Sequence, residues 1–189
     1  MQPFCLFRGQ LQFGKGDLAR LKAVEILEPH SRIMSDLGRI QLASAAMALF
    51  RVALPEHAQE ATLFEDTVGF LKVLNAPERP RMEHLLSFLV HVLAALGLAP
   101  RFDRCGQCGR EPRPSQPSYF DPYLGALGCS TCGQGLYLLA PQARALLSAG
   151  WVSGEQGQMI PLGVEERQQA YRALRAFVEE HLGATIIYG

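Results

Sequence analysis

Apolar and polar residues alternate at the start of the chain and then settle into helical spacing. Phe4 and Leu6 alternate, as do Leu11 and Phe13, and Gly14-Lys15-Gly16-Asp17 is a turn signal, so residues 1–28 read as β-rich. Leu18 to Leu27 fits either template on its own, because Leu18, Leu21 and Val24 also suit a helix. From Ile33 the period is helical. Ile33, Leu37, Ile40, Ala43, Met47, Phe50 and Leu54 predict one helix over 33–54, stopped by Pro55. Thr62 and Glu65 have capping-box spacing ahead of Phe64, Val68 and Leu71, which predicts a second helix over 62–75. Pro80 opens a third over 81–97, with Met82, Leu85, Leu86, Leu89, Leu93 and Leu96 apolar and Gly97 as its stop. Pro141 starts a short helix through Leu147 that ends near Gly150. A last helix over 164–182 carries Tyr171, Leu174, Val178 and Leu182 and stops at Gly183. Each helix has one apolar stripe, so the helices are expected to pack as one domain.

Between the third helix and Pro141 the periodicity fails. Arg110 to Pro117 is rich in proline and polar residues and reads as a loop. Ser118-Tyr119-Phe120 is strand-like, Asp121-Pro122 turns, and Leu124 to Leu127 leads back. Cysteines flank this stretch. Cys105 and Cys108 form one C-x2-C pair, Cys129 and Cys132 a second, with 20 residues between the pairs. Two sulfurs three residues apart in a tight turn cover one face of a tetrahedral metal, and a second such turn covers the other. Glycines sit where the knuckles turn, at Gly106, Gly109, Gly128 and Gly133. Four thiolates leave no open coordination position, so a Zn²⁺ bound here is structural. A four-cysteine iron–sulfur cluster uses the same ligands, and two disulfides or idle thiols are the bland alternatives. The metal takes the place of a hydrophobic core that the 101–135 module is too short to build, and the module is expected to project from the helices. Cys5 is the odd cysteine and reads as a small buried hydrophobe.

Composition narrows the functional classes. With 18 basic and 18 acidic residues the net charge is +0, which excludes a uniformly basic nucleic-acid sleeve but not a basic face. No apolar run reaches the length of a membrane span; the longest, around Leu85 to Leu98, is broken by His91. Met1-Gln2-Pro3-Phe4 has no basic region and no cleavage site, so a cytoplasmic protein is expected. The chain has no Walker-type loop and no G-x-S-x-G, and nothing pairs a nucleophile with a base. His84 and His91 read as partly buried helix histidines. Glu179, Glu180 and His181 read as a solvated helix end, Asp121 beside Tyr119 and Tyr123 as a turn residue, and Trp151 as packing. An enzyme is not expected.

Arginines are unevenly spread. Arg8, Lys15, Arg20, Lys22 and Arg32 lie in and just after the β segment, and Arg79, Arg81, Arg101, Arg104, Arg110 and Arg113 lie around the cysteine module. Arg167, Arg172 and Arg175 lie on the last helix. A planar guanidinium holds two phosphate oxygens at once, so these clusters are candidates for a phosphate backbone.

In order along the chain, these motifs resemble the bacterial recombination mediator family RecO. Gln2-Pro3-Phe4, Arg8-Gly9 and Asp17 to Glu28 resemble the end of its N-terminal OB-fold, which makes the ambiguous Leu18–Leu27 stretch a strand. Leu96 to Pro100, Phe102 to Cys105 and Cys108-Gly109 resemble its passage from helix into zinc finger. Phe120, Gly128-Cys129, Cys132, Leu139-Ala140-Pro141, Tyr171-Arg172 and His181 to Gly183 resemble the remainder. The resemblance implies residues 1–30 as partial OB-fold strands and 31–189 as a mainly α-helical domain with an inserted zinc finger at 101–135. The family carries roughly fifty more residues ahead of Gln2-Pro3-Phe4, so an open β edge with unburied core residues is expected here. It also implies one structural Zn²⁺ on Cys105, Cys108, Cys129 and Cys132. DNA contacts are expected from Arg8, Lys15, Arg20 and Lys22 and from Arg101, Arg104 and Arg110. The implied partners are single- and double-stranded DNA, RecR- and RecF-like proteins and single-strand-binding proteins, in the bacterial cytoplasm at the nucleoid. The implied role is recombinase loading and strand annealing, without bond chemistry. The competing reading is a zinc-ribbon protein–protein adaptor with no DNA binding of its own.

Overall fold

A two-stranded antiparallel hairpin, β1 (Leu6–Phe13) and β2 (Ala19–Glu28), begins the fold of this computed structural model, which describes residues 3–14, 19–56, 58–133, 135–150 and 159–187. Lys15, most of the turn after Gly14, and Trp151 lie outside the described residues. The register opposes Phe7 to Ile26, Gly9 to Val24, Leu11 to Leu21 and Phe13 to Ala19. Strand alternation therefore puts these side chains on one face and Arg8, Gln10, Gln12, Arg20 and Glu25 on the other. Lys22 is skipped between the Ala23 and Leu21 pairings, as the extra residue of a bulge. The apolar face is open: Leu11 is 58% and Phe13 70% exposed. His30, in a left-handed conformation (φ 45°), ends the hairpin, and its Nδ1 donates to the Phe4 carbonyl at 2.7 Å.

Helices follow. The stripe from Ile33 to Leu54 predicts one helix, but the chain forms α1 (Ser31–Met34) and α2 (Leu37–Ala53). Asp36 causes the break. Its carboxylate caps α2 by accepting the Arg39 N–H at 3.0 Å, and a capping residue has extended backbone. The restart rotates the buried face by about one position, onto Leu42, Ala43, Ala46 and Leu49, and leaves Leu37 exposed. Next come α3 (Ala61–Asn75) and α4 (Met82–Ala95). Thr62 lies inside α3 and does not cap it; Glu60 is the N-cap residue, without a side-chain cap bond. Phe64 points outward, 60% exposed, and Leu63, Phe70, Leu71 and Leu74 form the buried side.

The cysteine module is built on a four-stranded sheet. It contains β3 (Arg101–Cys105), β4 (Ser118–Asp121), β5 (Ala126–Gly128) and β6 (Tyr137–Leu139), in the order β3-β5-β4-β6. The chain then forms α5 (Pro141–Ala149) and α6 (Val164–Leu182). The described residues thus form a mixed architecture of six helices and two small sheets.

The ribbon does not simply project, as its sequence predicts. Phe102 stacks on Phe120 (centroids 4.8 Å), and Phe120 meets Phe177 of α6 (6.2 Å). These residues are continuous with a core in which Phe70 stacks on Phe88 at 4.2 Å. Gly125, at φ +59°, lets the sheet close on α6, since a Cβ there would lie 2.8 Å from the Phe177 ring. Leu89→Ala or Leu174→Ala, each 1% exposed in wild type, is expected to cost about 2–5 kcal/mol in urea unfolding. Unchanged midpoints in both variants would show that the stripes do not form the shared core.

Candidate metal centre and basic surface

Each cysteine pair closes a knuckle with the same chemistry. Cys105 ends β3, and Gly109 donates its N–H to the Cys105 carbonyl at 3.0 Å; Gly133 does the same to Cys129 at 3.0 Å. Gly109 and Gly133 both have positive φ, as the second half of such a turn requires. Gly106 answers a different need, because a Cβ would lie 2.7 Å from that of Ala126. The backbone N–H groups of Cys108 and Gln107 aim at the Cys105 sulfur and lower its pKa. Those of Cys132 and Thr131 aim at Cys129 and bring it down to about 6. In both leading thiols these N–H groups favour the charged form.

The sheet brings the two knuckles together through the antiparallel β4–β5 pairing, which carries Gly128 opposite Tyr119, and through Gly106, whose N–H donates to the Leu127 carbonyl at 2.9 Å. All four sulfurs then lie within 4.8 Å of one another, with Cys108 and Cys129 at 3.8 Å. A tetrahedral ion with bonds of about 2.3 Å to sulfur sets its ligands about 3.8 Å apart, so the donor set fits such an ion. Next to the Cys108 and Cys129 sulfurs, the Cys132 thiol is pushed up to about 12. A cation among the four sulfurs would offset that repulsion and let the fourth thiol ionise. Cys105 is buried, Cys108 exposed, and Cys129 and Cys132 half-buried. Cys5, outside the cluster, is half-buried rather than buried.

The candidate DNA residues fall on two separate elements. Arg101 and Arg104 lie exposed on β3, and Arg110 follows in the first knuckle. The Arg110 guanidinium donates to Thr131 Oγ1 at 3.3 Å and its carbonyl accepts the Cys105 N–H at 2.9 Å, so it links the two knuckles. Arg104 is partly neutralised by Asp103 at 2.6 Å and Glu111 at 3.9 Å, and this contact lowers the Asp103 pKa. On the hairpin, Arg8 pairs with Glu25 at 3.3 Å, whereas Arg20 and Lys22 make no ion pair among the described residues. Nor does Arg101.

Three charged residues that sequence reasoning did not single out are buried anchors. Arg39 donates to the carbonyls of Leu74, Ala76 (2.7 Å), Pro77 (3.5 Å) and Glu78 (3.0 Å), fixing the α3–α4 loop. Arg144 of α5 donates to Ser118 Oγ (2.6 Å) and to the carbonyls of Arg113, Pro114 and Gln116, fixing the loop inside the ribbon. Glu83 Oε1, fully buried, accepts from the Leu162 N–H at 3.0 Å and Arg167 Nε at 3.1 Å. The signal was present: Arg39 keeps phase with Leu42, Ala43 and Ala46, and Glu83 with Leu86 and Val90.

His91 and His181 each tie two elements together. His91 Nε2 lies 2.8 Å from Asp66 across α3 and α4. His181 donates to the Pro122 carbonyl at 2.9 Å, which ties the end of α6 to the β4–β5 turn. Asp121 closes that turn by accepting the Tyr123 N–H at 2.9 Å. Among the described residues no helix is long and apolar enough to cross a membrane.

The family model for the C-terminal part of recombination protein O matches residues 34–186. DNA repair protein RecO of Anaeromyxobacter sp. (strain K) is 33% identical over 190 residues, covering 97% of this chain and 73% of that protein. DNA repair protein RecO of Myxococcus xanthus (strain DK1622) is 32% identical over 183 residues, with the same coverage. That of Nocardioides sp. (strain ATCC BAA-499 / JS614) is 28% identical over 189 residues, covering 96% and 75%.

Proposed function

Since the chain belongs to the RecO family of DNA repair and recombination proteins, we propose that it acts by holding DNA through its phosphate backbone, on a ribbon stiffened by one structural Zn²⁺. Its role in repair and recombination is that of a mediator and not an enzyme. The observation that carries the mechanism is the convergence of four sulfurs within 4.8 Å beside a strand and knuckle that carry the exposed Arg101, Arg104 and Arg110. Cys105, Cys108, Cys129 and Cys132 hold the zinc. The ion supplies charge and rigidity, with no open position for chemistry. Arg110, tied to Thr131, stays fixed in orientation only while the knuckles are closed. The arginines then bind phosphate oxygens and release counterions, and affinity falls with salt.

In this reading residues 1–30 are OB-fold strands, with Arg8, Lys15, Arg20 and Lys22 as a second basic surface. Residues 31–189 form the helical domain that carries the finger. The open apolar face of the hairpin supports that division, since Phe7, Leu11, Phe13, Leu21, Val24 and Ile26 require a covering sheet. The partners are single- and double-stranded DNA, with RecR-like and single-strand-binding proteins in recombinase loading and strand annealing.

Variants separate the two surfaces. Replacing Arg101, Arg104 and Arg110 together by alanine is expected to make the log–log salt dependence of single-stranded DNA binding shallower by about 2. Replacing Arg8, Arg20 and Lys22 tests the hairpin in the same way, by fluorescence anisotropy with a labelled oligonucleotide. Wild-type slopes in both variants would remove these residues from the interface.

A further inference from the structure

Two grooves of similar size cut the helical domain, and they have opposite charge. One, of about 610 Å³, lies between the end of α2 and the start of α3; among the described residues it is lined by Phe50, Leu54, Phe64, Glu60 and Glu65, with no basic residue. The other, of about 580 Å³, lies between the start of α4 and one face of α6; among the described residues it is lined by Arg81, Arg167, Arg172 and Arg175 and by no carboxylate. A chain of zero net charge has therefore segregated its charges. Arg81 and Arg172 stand in different clusters of the sequence, and only folding brings them to one groove.

The four arginines differ in availability. Arg167 is committed, donating to Glu83 and to the Leu162 carbonyl. Arg175 is shared with Glu179 at 2.8 Å. Arg172 and the Arg81 guanidinium are exposed and make no ion pair among the described residues. Arg81 is held in place through its backbone, which donates to His84 Nδ1 at 3.0 Å and accepts the His84 N–H at 3.1 Å. The loop leading to it is clamped by Arg39. Arg81 and Arg172 are thus free at their tips, and Arg81 is fixed at its root, which lowers the entropy cost of binding an anion.

We infer that this α4–α6 groove is a further binding site for the phosphodiester backbone of single-stranded nucleic acid, with Arg81 and Arg172 as its phosphate ligands; this rests on the DNA-binding reading above. Arg81, at the start of α4, and Arg172, on α6, reach the groove from different helices and so offer two separate cations to a strand of repeating phosphates. Pro80, Met82 and Val164 give the groove flat apolar walls, and Tyr171 is anchored by its hydroxyl, which donates to the Ile186 carbonyl at 2.7 Å. Such surfaces accept base and sugar faces without reading sequence.

The test uses the full metal-loaded chain and Arg81→Ala/Arg172→Ala, with a labelled single-stranded oligonucleotide across a salt series. The double variant should keep the wild-type melting temperature, lose about tenfold in affinity at low salt, and show a log–log slope shallower by about 1.4. Arg172→Lys, which keeps the charge, should retain the slope, and Glu60→Gln/Glu65→Gln in the acidic groove should leave affinity within about twofold. If Arg81→Ala/Arg172→Ala binds like wild type while the finger variant is impaired, the groove proposal is overturned and the general reading stands. If wild type itself does not bind, both are overturned. If the oligonucleotide is bound normally but a labelled polyglutamate peptide loses affinity, the groove is a peptide site and the proposal is wrong.

Discussion

Cys129→Ser, or removal of the metal by a strong chelator, is expected to unfold the knuckle end of the ribbon while the helical domain stays folded. Structural zinc contributes on the order of 10 kcal/mol in small modules. No buried apolar cluster replaces it at the knuckles: Cys108 is exposed, and Cys129 and Cys132 are half-buried. Phe102, Phe120 and Leu127 limit the damage, because they belong to the same core as Phe177. Amide hydrogen exchange should show protection lost around 105–112 and 128–133 and kept in α4 and α6. Cys5→Ser, outside the cluster, should change neither. Full protection at the knuckles after the metal is gone would mean that the ribbon holds itself together without an ion.

Arg39→Met is expected to destabilise the chain by about 3 kcal/mol. The guanidinium, 8% exposed, serves four carbonyls at the end of α3 and in the following loop. A methionine of similar length fills the space but leaves buried acceptors without donors, and each unmet buried group costs about 1–3 kcal/mol. Arg39→Lys keeps the charge but cannot fork to several carbonyls, and should fall between the two. Urea denaturation measures the difference. A midpoint equal to wild type in Arg39→Met would show that water replaces the arginine without loss.

Much of the site is legible before folding, because a C-x2-C pair dictates its own turn. Two residues between ligands, with glycines beside them, leave the backbone few other ways to point N–H groups at sulfur. The longer helices are legible for a similar reason, since a stripe every three to four residues has no other use. Breaks inside such stripes are harder to see. Asp36 interrupts Ile33 to Leu54 through a single capping bond, and an aspartate is equally at home on an exposed helix face. Strand β6 could not be found from Tyr137-Leu138-Leu139, because three residues carry no period; its pairing with Ser118 to Phe120 creates it. The anchors Arg39, Glu83 and Arg144 show a further limit. An arginine count treats every guanidinium as a phosphate ligand, yet Arg39, Arg144 and Arg167 are occupied by the protein's own carbonyls and carboxylate. Arg39 keeps phase with Leu42, Ala43 and Ala46, and that spacing marks it as interior.

Binding to DNA is the claim on which the functional account stands. It is tested most directly by titrating the metal-loaded chain with labelled single-stranded DNA across a salt series. The account predicts binding at low salt that weakens as salt rises, with a negative log–log slope of about 0.7 for each phosphate neutralised. Absence of binding at the lowest salt, or an affinity indifferent to salt, would contradict it and leave a zinc-ribbon adaptor between proteins in its place.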